Sequence, residues 1–151
     1  MRFNSHMDIA LDEARAAAAR GEVPVGAALI APDGQVAARA GNMTRALNDP
    51  TAHAEIVVIR AACAAVQSER LTGYALYVTL EPCAMCAAAI AAVRIAKLYI
   101  GASDPKSGGV LHGARVFSHP QAHHSPDIYE GIAADTSEAL LRTFFAERRG
   151  K

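Results

Sequence analysis

The stretch from residue 75 to residue 86 reads ALYVTLEPCAMC, in which an apolar run passes through an acidic residue and a proline into two cysteines. The run from Ala75 to Leu80 has the length and apolar content of a short buried strand. Glu81-Pro82 then predicts the start of a helix that extends to about Val93. We therefore expect a strand that leads directly into a helix, with both cysteines at the start of that helix.

Upstream of this stretch, turn and capping residues divide the chain into a helix, a hairpin and a second helix. Pro32-Asp33-Gly34 is typical of a tight turn, because proline fixes one backbone dihedral and glycine supplies a positive φ. Asp49-Pro50 is an N-cap residue followed by a proline, which predicts that the second helix begins there. The predicted elements are a helix from Met7 to Arg20 closed by Gly21, strands over 26–31 and 35–40, and a helix from Asp49-Pro50 to about Val66.

Downstream, strand and helix continue to alternate, as they do in units with parallel strand pairing. The segment 104–126 is rich in Gly, Ser, Pro and His, and a loop of this length in a compact domain is usually functional, so we interpret it as a binding loop. The remaining predicted elements are a strand from Lys97 to Gly101, a short strand from Asp127 to Ile132, and an amphipathic helix from Ser137 to Arg149 with Leu140, Leu141, Phe144 and Phe145 on its apolar stripe. Together these elements predict an α/β fold in which helices pack on a mixed sheet.

Composition limits the classes of protein to consider. The 151 residues suit one domain, 1–151, and 15 basic against 15 acidic residues leave no overall field that would favour nucleic acid. The apolar run from Pro82 to Val93 is shorter than the roughly 20 residues that span a bilayer, so we expect no membrane segment. Three cysteines do not make a disulfide framework and are typical of a reducing compartment, which predicts a cytoplasmic location.

Cys83, Cys86 and His53 form a candidate zinc site. The cysteines are three residues apart at a predicted helix start, where backbone N–H groups and the helix dipole favour thiolate. His53 lies near the start of another predicted helix, and helices that follow parallel strands begin at the same edge of a sheet. Two cysteines and one histidine leave the fourth position of a tetrahedral zinc open, as catalytic sites do, so we expect about one Zn²⁺ per chain.

Glu55 is the candidate general acid and base of this site. Two thiolates donate charge to the metal and weaken its effect on the pKa of a bound water, so a nearby base is required. Residues two apart within a helix point about 200° apart, which separates His53 from Glu55 unless their helix meets the metal end-on. We therefore expect an end-on arrangement.

These residues resemble a known family. His53-Ala54-Glu55 with Pro82-Cys83-Ala84-Met85-Cys86 is similar to the signature of the zinc-dependent cytidine deaminase superfamily. The flanking segments 22–27 (EVPVGA), 49–55 (DPTAHAE), 76–83 (LYVTLEPC) and 101–104 (GASD) resemble its bacterial branch of tRNA-specific adenosine deaminases. The resemblance implies a three-layer α/β/α fold with a five-stranded mixed sheet, a homodimer, and conversion of adenosine to inosine at the wobble position of a tRNA anticodon stem-loop.

The resemblance also implies roles for single residues. Glu55 would move protons between water, the purine ring nitrogen and the departing ammonia, after the base has been unstacked. Asn42 would contact the flipped nucleoside, Asp104 would contact its ribose or a neighbouring nucleotide, and Phe145 would shape the surface that binds the loop. A local basic patch can bind RNA even in a neutral protein, and the candidate phosphate contacts are Lys106, Arg148 and Arg149.

Several alternatives stay open at this point. The same zinc chemistry would serve a deaminase of free guanine, cytosine or a nucleoside, and a Cys-x-x-Cys pair is also found in noncatalytic zinc-stabilised RNA-binding or redox modules. A fourth protein ligand would close the zinc site and make it structural. Asn42 is also explained by a strand-to-loop turn, and Arg148 and Arg149 by a solvated helix end. The candidate fourth ligands are His112, His119, His123 and His124.

Overall fold

The computed structural model describes residues 5–149, which form four α-helices around one sheet. No helix within this part of the chain is long and apolar enough to cross a membrane. A short 3₁₀ turn, Val116–Ser118, lies within the loop that follows residue 103. In chain order the elements are α1 (Met7–Ala19), β1 (Gly26–Ile30), β2 (Val36–Gly41), α2 (Ala54–Val66), β3 (Ala75–Leu80), α3 (Ala84–Val93), β4 (Lys97–Ala102), β5 (Asp127–Tyr129) and α4 (Ala134–Arg149).

The sheet has the order β2-β1-β3-β4-β5 and is mixed, as predicted. Strand β1 pairs antiparallel with both β2 and β3, whereas β3, β4 and β5 pair in parallel. Because β1 is antiparallel to both of its neighbours, β2 and β3 run in the same direction. Helices α2 and α3, which follow these two strands, therefore begin at the same edge of the sheet.

Alternating side chains of the central strands divide the core into two layers. On β3, Leu76 and Val78 pack in a cluster that contains Val58 of α2 and Ile90 of α3. Tyr77, which lies between them, packs on the other face in a cluster that contains Leu11 of α1. The period of two residues along the strand thus produces the three-layer α/β/α arrangement that the family resemblance implied.

Gly26 allows α1 to approach the sheet closely. A Cβ atom at this position would lie 2.5 Å from the backbone nitrogen of Ala14 and would also overlap the carbonyl oxygen of Ala10. No side chain fits there without moving the helix backbone. Gly26 therefore fixes how tightly α1 packs on β1, and β1 is the strand that joins the two halves of the sheet.

The predicted start of α2 at Asp49-Pro50 is wrong, because the helix begins at Ala54. The carboxylate of Asp49 accepts hydrogen bonds from the backbone N–H and the hydroxyl of Thr51, at 2.9 and 2.7 Å, and so forms a local turn instead of a helix cap. His53 then occupies the N-cap position in an extended conformation, with φ −67° and ψ 154°.

The predicted start of α3 at Glu81-Pro82 is also wrong, because this helix begins at Ala84 with Cys83 as its N-cap. The N–H of Glu81 donates to the carbonyl of Ala102 at 2.8 Å, so Glu81 still bonds to β4 and the helix can begin only after it. Both helices consequently start at a residue that was predicted to lie inside them.

Candidate active site

The three predicted metal ligands meet where the N-termini of α2 and α3 converge. The His53 Nδ1 atom lies 3.6 Å from the Cys83 sulfur and 3.4 Å from the Cys86 sulfur. The ligand atoms of all three residues lie within 4.8 Å of one another. His53 and Cys83 are both N-cap residues, and Cys86 is the third residue of α3.

These distances fit a zinc ion. With Zn–S near 2.3 Å and Zn–N near 2.0–2.1 Å, a tetrahedral angle separates the sulfur and nitrogen ligands by about 3.6 Å. The observed separations of 3.6 and 3.4 Å agree with this value. Among residues 5–149, no other His, Cys, Asp or Glu joins the group, so three donors are available. The donor set is that of a zinc site with one open position.

The sulfur atoms are prepared for a cation. Hydrogen bonds with Cys86 and then with His53 lower the pKa of Cys83 to about 4, because both stabilise its thiolate. The same hydrogen bond with Cys83, followed by burial, raises the pKa of Cys86 above its ordinary range. The hydrogen bond with Cys83 also raises the pKa of His53. Metal binding here would therefore compete with protons and depend on pH.

Glu55 lies in the first turn of α2 and is almost fully buried, with 3% of its surface exposed. Burial is the main cause that raises its pKa to about 7, while its own backbone N–H and the charge of His53 act in the opposite direction. A carboxyl group that titrates near neutrality can both accept and donate protons. Because His53 is the N-cap and Glu55 follows in the first turn, the helix meets the site end-on, as expected.

A small cavity of about 240 Å³ opens onto this group. Asn42 lines the cavity, and its Oδ1 atom accepts the N–H of Ala54 at 2.9 Å. Asn42 thus accepts one free N–H at the start of α2 and also lines the cavity. A structural role at the helix start and a role in contacting a ligand are therefore compatible. The other lining residues are Val23, Val25, Thr44, His53, Glu55, Leu80, Glu81, Cys83, Asp104 and Ser107.

A larger groove of about 760 Å³ adjoins this cavity and shares Asp104 with it. The carboxylate of Asp104 accepts the backbone N–H groups of Lys106 and Ser107, at 3.2 and 3.0 Å, which folds the loop into a tight turn. Lys106 lines the groove beyond this turn. The groove therefore extends from the candidate catalytic residues across the surface towards α4.

Helix α4 supplies the far wall of this groove. Phe145 is 44% exposed and lines the groove, whereas Phe144 is only 6% exposed and lies in the core. Of the two adjacent rings, only that of Phe145 is therefore available to a ligand in the groove. The guanidinium of Arg148 also lines the groove and lies 4.0 Å above the ring of Phe144. The helix includes Arg149, but the side chain of that residue lies outside the part of the chain that the structure describes.

The histidines of the long loop have other partners. His112 Nδ1 lies 2.8 Å from Glu81, and the ring nitrogens of His119 and His124 bond the carbonyls of Ala114 and Ile95. His123 lines a separate groove on the outer side of α3. None of these four joins the ligand group, which favours an open zinc site over a closed structural one.

Sequence reasoning missed two buried carboxylates. Glu22, 1% exposed, accepts the N–H groups of Arg45 and Ala46 at 3.1 and 2.8 Å. Glu81, 3% exposed, accepts the N–H groups of Asp104 and of residues 110–112. The signal in the sequence was an acidic residue next to apolar neighbours, since such a residue is rarely buried without partners. Each carboxylate holds one of the two loops that border the cavity.

Comparison with protein families matches residues 2–102 to the cytidine and deoxycytidylate deaminase zinc-binding region. The chain belongs to this family of deaminases. It is 60% identical over 143 residues to a tRNA-specific adenosine deaminase of Agrobacterium fabrum, covering 95% of this chain and 93% of the relative. The family resemblance that the sequence motifs carried is thereby confirmed.

Solved structures agree with the family. One solved structure comes from biochemical and structural studies of A-to-I editing by tRNA:A34 deaminases at the wobble position of transfer RNA. It is 60% identical in sequence to this deaminase and has a TM-score of 0.88, and the match covers 89% of this chain and 97% of that chain. A guanine deaminase of Bacillus subtilis is 26% identical, with a TM-score of 0.67 over 99% of this chain and 95% of the other. The cytidine deaminase-like fold is confirmed.

Glu22 generates a prediction about stability and pH. Burial by itself would raise its pKa, but hydrogen bonds from Ala46, Arg45 and Thr44 outweigh burial and hold the pKa below its ordinary value of 4.5. A carboxylate with a lowered pKa stabilises the fold above that ordinary value, and the contribution is lost as pH falls through the lowered pKa. Glu22→Gln should therefore lower the free energy of unfolding at pH 7 by about 1–3 kcal/mol.

The difference between Glu22→Gln and the parent should shrink progressively below the ordinary glutamate pKa of 4.5. Denaturant unfolding at pH values from about 3 to about 8, which lie on both sides of this pKa, measures the difference in the free energy of unfolding. Glu69→Gln, at an exposed position, is the matched control and should follow the parent throughout. Identical stability of Glu22→Gln and the parent at pH 7 would show that the buried carboxylate does not hold the loop.

Proposed function

We propose that this deaminase hydrolyses adenosine to inosine at the wobble position of a tRNA anticodon. The observation that carries the proposal is the buried carboxyl of Glu55, with its pKa near 7, beside the group of His53, Cys83 and Cys86. A structural metal site has no use for such a carboxyl, whereas hydrolytic deamination needs one. The 60% identity to a tRNA-specific adenosine deaminase supports the choice of substrate.

His53, Cys83 and Cys86 would hold one Zn²⁺ per chain. Their atoms already lie at the separations that tetrahedral coordination requires. When bound, zinc supplies Lewis acidity that lowers the pKa of a water molecule. The matched family region is named for zinc binding, which supports this metal over others that accept the same donors.

Glu55 would carry the protons of the reaction. Its carboxylate accepts a proton from the attacking water and passes it to the ring nitrogen next to the amino-bearing carbon of adenine. The water oxygen bonds to that carbon, the bond to the amino group breaks, and Glu55 delivers the second water proton to the departing ammonia. Adenosine and water thus give inosine and ammonia. A pKa near 7 suits both directions of this transfer.

The cavity and its groove support an RNA substrate. The cavity of about 240 Å³ would take one unstacked base beside Asn42, and the adjoining groove of about 760 Å³ offers room for neighbouring nucleotides. The exposed ring of Phe145 would stack on a base, and Lys106 and Arg148 would contact phosphates, with Asp104 at the junction. Arg149, at the end of the same helix, is proposed as a further phosphate contact.

A deaminase of free guanine is the second candidate, because the B. subtilis guanine deaminase shares the fold at 26% identity. The groove favours RNA, since a free base has no neighbouring nucleotides to occupy it. A noncatalytic zinc-stabilised or redox module is disfavoured by the buried Glu55.

Three free cysteines and a tRNA substrate are both consistent with the proposed cytoplasmic location.

We also propose a homodimer, formed through the outer face of α3. This helix reads AMCAAAIAAV and contains no charged residue, although Met85, Ala88 and Ala92 are exposed. An apolar groove of about 340 Å³ runs along it, lined in part by Ala88, Ala92 and Val116. The groove also includes Arg94, at the C-cap of α3, so the uncharged part of the face lies around Ala88 and Ala92. This part would meet its own copy across a two-fold axis without placing like charges together, which makes a second copy of this chain a suitable partner.

Removal of the general base and removal of a ligand should have different effects. The parent should contain about one zinc per chain by metal analysis, and Cys86→Ser or Cys83→Ser should lose it. Glu55→Gln should retain the metal, and its kcat should fall by about 10²-fold or more, because only proton transfer is removed. Glu69→Gln, an exposed change of the same kind, should keep both zinc and activity. Full activity of Glu55→Gln would contradict the mechanism.

The substrate class is tested with RNA. An anticodon stem-loop carrying adenosine at the wobble position should yield inosine, measured by nucleoside analysis after digestion. The same stem-loop with adenosine moved to the stem should not react, because a paired base cannot enter the cavity without the cost of unstacking. Turnover of free guanine or cytosine without any activity on the stem-loop would instead favour the second candidate.

The dimer is tested by introducing charge on α3. Ala92→Glu should convert a dimer into a monomer in multi-angle light scattering, because dimerisation would bury the new carboxylates near one another. Ala37→Glu, on the exposed side of β2, is the control and should leave the mass of the parent unchanged. A monomeric parent, or a dimer that survives Ala92→Glu, would contradict the proposed interface.

A further inference from the structure

The segment 103–112 forms part of the cavity wall but has no regular secondary structure of its own. Asp104 and Ser107 line the cavity, and the segment follows β4 as a series of turns. Two of its N–H groups donate to backbone carbonyls, Gly108 to Asp104 and Gly109 to Pro82, both at 2.8 Å. These bonds alone leave the N–H groups at its two ends without backbone partners, so another group must accept them.

The carboxylate of Glu81 accepts hydrogen bonds from both ends of this segment. Its Oε1 atom accepts the N–H of Asp104 at 2.9 Å and lies 2.8 Å from Nδ1 of His112. Its Oε2 atom accepts the N–H groups of Val110, Leu111 and His112, at 3.2, 2.9 and 3.1 Å. One side chain therefore closes the segment into a loop, by bonds of the charge-assisted kind.

The loop also fits tightly against Glu81 and the start of α3. A Cβ atom on Gly108 would overlap the Glu81 carboxylate, and it would lie 2.5 Å from the Asp104 carbonyl oxygen. A Cβ atom on Gly109 would lie 2.5 Å from the nitrogen of Ala84 and 2.8 Å from the carbonyl carbon of Cys83. The loop is thus packed directly against the N-cap residue whose sulfur belongs to the ligand group.

We propose that Glu81 is a positioning residue for substrate binding, which sets the place of Asp104 and Ser107 relative to the metal ligands. This inference rests on the proposed function. Glu81 lines the cavity, but the five bonds occupy both oxygens of its carboxylate, so its role is to hold the loop in place. The expected consequence is specific: loss of Glu81 should weaken substrate binding more than it slows the chemical step.

Glu81→Gln tests this directly. The amide that replaces the carboxylate has one oxygen and one NH₂ group. The NH₂ group must face either Asp104 and His112 or the three N–H groups of residues 110–112. On that side no hydrogen bond can be accepted, so the loop loses bonds in either orientation. For the anticodon stem-loop we expect KM to rise about tenfold or more while kcat stays within about threefold. Zinc content should remain about one per chain, and amide hydrogen exchange of residues 104 and 110–112 should accelerate.

A second variant covers the case in which Glu81→Gln does not fold. Gly108→Ala keeps every charge and displaces the loop from Glu81 by overlap, so it should raise KM and accelerate exchange in the same amides. Ser137→Ala is the matched control, because it removes a buried hydrogen bond to the Thr79 carbonyl but leaves the loop untouched. It should lower stability without changing KM.

The results separate this inference from the proposed function. If the parent does not deaminate the stem-loop, the proposed function fails, whereas the exchange rates still report whether Glu81 holds the loop. Unchanged KM and unchanged exchange in both variants would overturn the positioning role. Loss of zinc from Glu81→Gln, with KM unchanged in Gly108→Ala, would also overturn it, because Glu81 would then support Cys83 and not the substrate.

Discussion

The shared direction of β2 and β3 is the constraint on which the rest of the molecule depends. Strand β1 lies between them and runs antiparallel to both, so the chain leaves β2 and β3 at the same edge of the sheet. The helices that follow, α2 and α3, have His53 and Cys83 as their N-cap residues. The Nδ1 atom of His53 lies 3.6 Å from the sulfur of Cys83. The candidate metal ligands, which are far apart in the sequence, meet because these two strands share one direction.

Side-chain contacts and helix N-termini together set the electrostatics of the site. Hydrogen bonds with Cys86 and His53 are the main causes that lower the pKa of Cys83 to about 4, and the backbone N–H of Cys86 at the helix start acts in the same direction. Glu55 lies at the same kind of position, yet its pKa is raised to about 7, because burial outweighs the favourable N–H and the charge of His53. The same edge of the sheet therefore holds a thiol with a lowered pKa and a carboxyl group with a pKa near neutrality.

The walls of the cavity depend on a different principle. They are irregular segments that cannot satisfy their own backbone N–H groups, and buried carboxylates accept these instead. Glu22 holds the segment at 44–46, and Glu81 holds the segment from 104 to 112. A carboxylate accepts several N–H groups at once without needing a repeating backbone geometry, so it can fix a loop of irregular shape.

The sequence by itself determined which residues meet at the site, among them His53, Glu55 and Cys83, and the order of helices and strands, because local spacing and apolar periodicity carry this information. It did not determine where α2 and α3 begin, since Asp49 bonds Thr51 and Glu81 bonds the distant segment 104–112. Only the tertiary structure decided those helix starts, the burial of Phe144 next to the exposed Phe145, and the contacts of Glu81 with segment 104–112. The physical reason is that a helix start or a buried side chain is chosen by competition among partners, which can be as near as Thr51 is to Asp49 or as distant as segment 104–112 is from Glu81.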